Sequence, residues 1–92
     1  MKMNHVEGED RRHIVLYALS TCVWCKKTKS LLNELGVDYY YIDVDLLDGE
    51  EKEEVMGEME KFNPRRSFPT IVIDNSKSIS GFQEDEIRRA VG

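Results

Sequence analysis

The sequence predicts an α/β domain with a four-stranded mixed sheet and three helices, in the order β-α-β-α-β-β-α. Three observations carry this. Ile14-Val15-Leu16-Tyr17-Ala18-Leu19 is an unbroken apolar run, which fits a strand buried on both faces. It is followed by helical spacing at Thr28, Leu31, Leu32 and Leu35. A second strand, Tyr39-Tyr40-Tyr41-Ile42-Asp43-Val44, comes after that helix, completing a βαβ unit.

Residues 1–12 show no periodicity and are expected to be a flexible segment leading into a single folded domain, residues 13–92. Ser20 and Thr21 are suited to cap the first helix, which runs to Leu35, and Gly36 suits a left-handed stop after it. The three tyrosines alternate faces of the second strand, with their hydroxyls expected at a wet rim. Asp48 followed by Glu51 has the spacing of a capping box for a helix from Glu50 to Phe62. Val55, Met56, Met59 and Phe62 form its apolar stripe, with the methionines as core filler. Asn63 to Pro69 is a loop. Thr70–Asp74 and Ser78–Ser80 are two strands joined by a short turn, and Glu84–Val91 is the last helix, its acids early and arginines late.

The 92 residues carry 13 Lys and Arg against 18 Asp and Glu, a net charge of −5 that argues against nucleic-acid binding. No apolar run approaches a membrane span, and the N-terminus lacks an apolar signal core. A cytoplasmic monomer is expected. Acids crowd Asp48–Glu60, whereas Leu16–Asn33 has none and includes Lys26, Lys27 and Lys29. Each run reads as a solvated helix face; a basic collar steering acidic partners is the sharper reading.

Cys22 and Cys25 are the only cysteines, and they stand where strand gives way to helix. Unpaired amides and the dipole at a helix start stabilise a thiolate, so Cys22 reads as the attacking sulfur, with Lys26 as a thiolate-stabilising neighbour. Cys25, three residues on, can cleave the resulting mixed disulfide. A disulfide closing so short a loop is a poor structural staple. No bound cofactor or metal is expected beyond the redox-active Cys22–Cys25 pair. The alternative is a dithiol module sharing zinc or an iron–sulfur cluster between two chains.

With Cys22-Val23-Trp24-Cys25, Ser67-Phe68-Pro69 and Ser80-Gly81-Phe82 in this order, residues 13–92 resemble a glutaredoxin. The resemblance implies a thioredoxin-like fold and a dithiol–disulfide oxidoreductase acting on protein disulfides. It makes Pro69 a cis-proline that turns the Phe68 backbone toward substrate, in strand-addition style. Trp24, Gly81 and Phe82 would line the docking surface, with Arg66 and Gln83 as further substrate contacts. The sequence departs from the family pattern in three places. Val23 and Trp24 stand where Pro and Tyr are usual, Leu19 where a lysine is common, and Gln83 where an aspartate is typical. The cation and carboxylate that hold glutathione are thus replaced. With Val23 after the first cysteine and the Ser80-Gly81-Phe82 turn, the chain looks like the glutaredoxin-like redoxins that donate electrons to ribonucleotide reductase. The resemblance therefore implies an external reductant, glutathione or a thioredoxin reductase.

Overall fold

A computed structural model describes residues 3–91; Met1, Lys2 and Gly92, at the ends of the two expected segments, lie outside the described residues. In chain order the elements are β1 (Asn4–Val6), β2 (Ile14–Ala18), α1 (Val23–Leu35), β3 (Tyr39–Asp43), a 3-10 turn (Val44–Leu46), α2 (Gly49–Glu60), β4 (Thr70–Ile73), β5 (Lys77–Ser80) and α3 (Glu84–Val91). The strands form one sheet in the order β1-β3-β2-β4-β5. Strands β2 and β3 are parallel, as their α1 connection requires, and the other pairs are antiparallel.

Strand β2 is central and buried along its whole length, so its side chains feed both faces. On one face Ile14, Leu16 and Ala18 join Ile71, Ile73 and Ile79 under Leu31 and Leu32 of α1 and Ile87 and Val91 of α3. On the other, Val15 and Tyr17 join Ile42 and Val72 under Val55 and Met59 of α2. The result is helix, sheet, helix in three layers. Each fully buried Leu or Ile contributes about 1.5–3 kcal/mol by leaving water. Among the described residues no helix is long and apolar enough to cross a membrane.

The strand count corrects from four to five because Asn4–Val6 pairs with Tyr39–Tyr41. Its order comes from distant contacts rather than its own pattern. The His5 ring stacks on Tyr40 with centroids 4.5 Å apart, and its Nε2 meets the Asp38 carboxylate at 2.8 Å. Gly8 lies against the Val37 backbone so closely that a Cβ there would sit 2.5 Å from the Val37 carbonyl carbon. The adjoining Glu9 N–H donates to the Gly36 carbonyl at 2.7 Å.

Two expected caps also change. Asp48 stands before α2 with the extended backbone of an N-cap, at φ −137° and ψ 165°, but makes no side-chain cap bond, and Gly49 follows it at φ +55°. At α1 the cap is Cys22, not Ser20 or Thr21. Gly36 does adopt the left-handed stop, at φ +69°. Of the tyrosines, Tyr39 is buried, with its hydroxyl donating to Asn33 at 3.0 Å, while Tyr40 and Tyr41 are half-buried.

Candidate active site

The buried run of β2 ends at Ala18, and the chain must then leave the sheet edge before α1 can begin. Cys22 is the last extended residue, at φ −85° and ψ 117°. Its N–H donates to the Leu19 carbonyl at 3.2 Å, and its own carbonyl accepts the Lys26 N–H at 3.1 Å. Its sulfur accepts the Cys25 N–H at 3.1 Å. An N-cap side chain ordinarily offers oxygen to such an amide; here the acceptor is sulfur. No acidic residue stands in the first turn of α1 to oppose negative charge there.

Cys25 is fully buried, whereas Cys22 is half-buried. Burial pushes the Cys25 thiol up to about 12; its hydrogen bond with Cys22 adds to this, against opposing effects of the Leu19 backbone and the Lys29 charge. Cys25 therefore keeps its proton at neutral pH. The two sulfurs differ in access although they sit one helical turn apart.

The three lysines of this stretch have different surroundings. Lys26 is exposed, and among the described residues its ammonium makes no ion pair or hydrogen bond. Lys29, one turn further, is the lysine whose field reaches Cys25; it also pairs with Asp43 at 3.1 Å and lies 4.1 Å above the Tyr41 ring. Lys27 sits 4.7 Å over the Trp24 ring. Trp24 is 54% exposed and stacks against Phe82 with centroids 5.9 Å apart. Val23 is also exposed, so apolar side chains flank Cys22 on the outer surface.

The antiparallel register pairs Tyr17 with Thr70, which sets the loop before β4 beside the loop after β2. The Phe68–Pro69 peptide bond is cis. Among the described residues the Phe68 N–H and carbonyl have no hydrogen-bond partner within the chain. Unpaired backbone groups of this kind normally face water or a ligand. The Phe68 ring, half-buried, packs against both cores. Gly81, at φ +79°, donates its N–H to the Pro69 carbonyl at 2.8 Å. The dithiol, Trp24, Phe82, Gly81 and Pro69 are thus linked in one contact chain.

Sequence reasoning missed the residue that holds this loop. Asn63 is 4% exposed. Its amide donates to Ser67 Oγ at 3.0 Å and Thr70 Oγ1 at 2.8 Å, and its Oδ1 accepts the Arg65 N–H at 3.2 Å. The available signal was an asparagine at a helix end before proline, a local turn-former. Arg66 and Gln83 lie at the margins. The Arg66 guanidinium meets Glu60 at 2.7 Å and borders an open groove of about 440 Å³ with Lys52, Glu53, Met56 and Gly57. Gln83 turns its amide back onto the Ser80 carbonyl at 2.7 Å. Among the described residues no three His, Cys, Asp or Glu side chains gather as a metal site.

The glutaredoxin family model matches residues 14–77. A glutaredoxin-like 8.6 kDa protein of the rubredoxin operon of Clostridium pasteurianum is 35% identical over 78 residues, spanning 85% of this chain and 96% of that protein. Glutaredoxin 1 of Rickettsia felis is 39% identical over 62 residues, covering 67% of this chain and 58% of its own length. Among solved structures, the glutaredoxin of Methanosarcina mazei superposes over the whole chain and 89% of its own, with a TM-score of 0.91 and 54% identity. Methanoredoxin of Methanosarcina acetivorans gives 0.92 and 52%, covering the whole chain and 96% of its own. Since the matched region includes the dithiol and the cis-proline loop, and the fold agrees across the full length, the chain belongs to the glutaredoxin family, whose general activity is thiol–disulfide oxidoreduction.

Proposed function

We propose that this protein reduces protein disulfides, with Cys22 as nucleophile and Cys25 as resolving thiol. The Cys22 thiolate attacks one sulfur of the substrate disulfide, forming a mixed disulfide and releasing a substrate thiolate that takes up a proton. Cys25 then loses its proton and attacks the Cys22 sulfur, closing the Cys22–Cys25 disulfide and releasing the second substrate thiol. Two electrons pass from the dithiol to the substrate. The observation that carries this reading is the asymmetry of the pair: an accessible sulfur seated on a helix-end amide, and a buried partner that keeps its proton.

The empty Phe68 backbone groups beside Pro69 are the docking edge for an extended substrate segment. Trp24, Gly81 and Phe82 border it, with Arg66 and Gln83 at its ends. An external reductant restores the dithiol. Leu19 in place of a cation, and a Gln83 amide already committed to Ser80, support a thioredoxin reductase over glutathione. The exposed Arg66–Glu60 pair is worth under about 1 kcal/mol and does not decide between them. The reading extends to service as an electron donor to reductive enzymes such as ribonucleotide reductase; the rubredoxin-operon setting of one relative is in keeping with such a role.

The test follows an insulin-type disulfide substrate with Cys22→Ser and Cys25→Ser variants. Cys22→Ser loses turnover to background. Cys25→Ser loses turnover but accumulates a mixed disulfide through Cys22, seen by mass. The oxidised wild type is then offered glutathione, or thioredoxin reductase with NADPH. Full activity in Cys22→Ser would overturn the mechanism, and reduction by glutathione alone would overturn the choice of reductant.

A further inference from the structure

Two residues before Cys22, Ser20 commits both of its donors to one carboxylate. Its N–H lies 2.7 Å from Asp45 Oδ1 and its hydroxyl 2.5 Å from Asp45 Oδ2. Asp45 belongs to the 3-10 turn that follows β3. Strands β2 and β3 are parallel, with Ala18 opposite Asp43, so both chains leave the sheet at the same end. The Ser20–Asp45 contact bridges the two exits. A two-point bond to a carboxylate is among the stronger hydrogen-bonded contacts a surface offers. The Ser20 hydroxyl, then its N–H, hold the Asp45 carboxyl below its usual value, and Lys52 adds to the effect.

The segment so held touches both cysteines. The Leu19 carbonyl accepts the Cys22 N–H at 3.2 Å, and the Leu19 backbone acts on the Cys25 thiol as well. A bare carboxylate this close to the nucleophile would oppose a thiolate by like charge. Asp45 faces donors instead, so its contribution is position.

We propose that Asp45 is a positioning residue for the dithiol, fixing the Leu19–Thr21 loop through Ser20 so that the Cys22 sulfur stays on the Cys25 N–H. This rests on the reading of Cys22 as the attacking thiolate. The test measures iodoacetamide alkylation of Cys22 by mass, at pH 7 and at the alkaline plateau, with melting temperature alongside. Loss of about 1 kcal/mol of hydrogen bonding predicts roughly fivefold slower alkylation at pH 7 in Asp45→Ala. The plateau rate stays unchanged. Ser20→Ala, which keeps the backbone bond, falls between, and Ser20→Thr keeps the wild-type rate. An unchanged pH 7 rate in a less stable Asp45→Ala protein would make the clamp purely structural and overturn the proposal. Faster alkylation would overturn it too, showing Asp45 to act as a repelling charge. If Asp45→Ala does not fold, Ser20→Ala decides by the same criteria. Wild-type Cys22 reacting no faster than Cys25 would overturn the nucleophile reading itself, and this proposal with it.

Discussion

Two loops meet at the dithiol. The segment from Leu19 to Cys22 is tied at its surface, by the Asp45 carboxylate on one side and the helix-end amide on the other. The segment from Asn63 to Pro69 is tied from below, by one neutral amide with 4% exposure. The difference follows from what each must leave free. In the proposed mechanism the first presents a sulfur that changes charge and bonding partner, so the tie that outlasts the reaction is the Ser20–Asp45 contact, which does not involve the sulfur. The second must keep the Phe68 N–H and carbonyl unpaired, so its order has to come from side chains rather than a backbone ladder. Asn63 supplies it, satisfying the Ser67 and Thr70 hydroxyls at once.

The largest effect that would sharpen this contrast is at Asn63. Asn63→Ala removes the donor to two hydroxyls and leaves a buried gap, at a cost of about 2 kcal/mol, or roughly 10 °C in melting temperature for a domain of this size. Alkylation of Cys22 is expected to stay within about twofold of wild type, since the dithiol loop has its own ties. Substitution at Ser20 should show the reverse pattern, a small change in stability and a larger one in thiol reactivity. If Asn63→Ala slows alkylation as strongly as Asp45→Ala, the two loops form a single unit and the contrast fails.

The contrast also marks what the sequence could reveal. Strands β2 and β4 were legible as short unbroken apolar runs, and helices α1 and α3 because their apolar residues repeat with the helical period. The cysteines and the cis-proline loop were legible as motifs. Strand β1 was not, because Asn4-His5-Val6 has no pattern of its own and is ordered by Tyr40, Asp38 and the backbone beside Gly8. Neither holder of the site was legible. Asn63 and Asp45 act across the fold, on Thr70 and on Ser20, and their partners are set by tertiary geometry rather than spacing. The α1 cap was misplaced because the helix begins at Val23, which puts Cys22 rather than Ser20 or Thr21 at the cap, while the Ser20 side chain meets Asp45.

A smaller effect is expected at the outer surface. Trp24 and Phe82 are stacked beside Cys22, with Lys27 over the indole. An aromatic pair adds about 1 kcal/mol when a partner covers it. Trp24→Ala should therefore raise KM for a protein disulfide about fivefold while leaving kcat within about twofold. Stability should change by less than about 0.5 kcal/mol, because the ring is exposed. A fall in kcat with KM unchanged would instead make Trp24 part of the dithiol's own support, and the tie from below would then have a counterpart on the outer surface.

The smallest effect concerns acid. The carboxyls of Asp38, Asp45 and Asp74 are all held below their ordinary value of 3.8, first by His5, by the Ser20 hydroxyl and by the His13 N–H respectively. A carboxyl lowered in the folded state binds fewer protons there than in the unfolded chain, so its contribution is complete above 3.8 and disappears as pH falls through the folded value. Asp74→Asn should lower the melting temperature slightly at pH 7, and the gap from wild type should close as pH falls below 3.8. Asp74 accepts the His13 N–H and pairs with Arg12 at the start of β2, the end away from the sulfur. Its loss should leave Cys22 alkylation untouched, whereas Asp45→Ala slows it at constant pH. Equal slowing by the two substitutions would mean a general loosening of the domain, since loss of a negative charge by itself favours the thiolate. Unequal effects locate the influence in the loop that Asp45 holds.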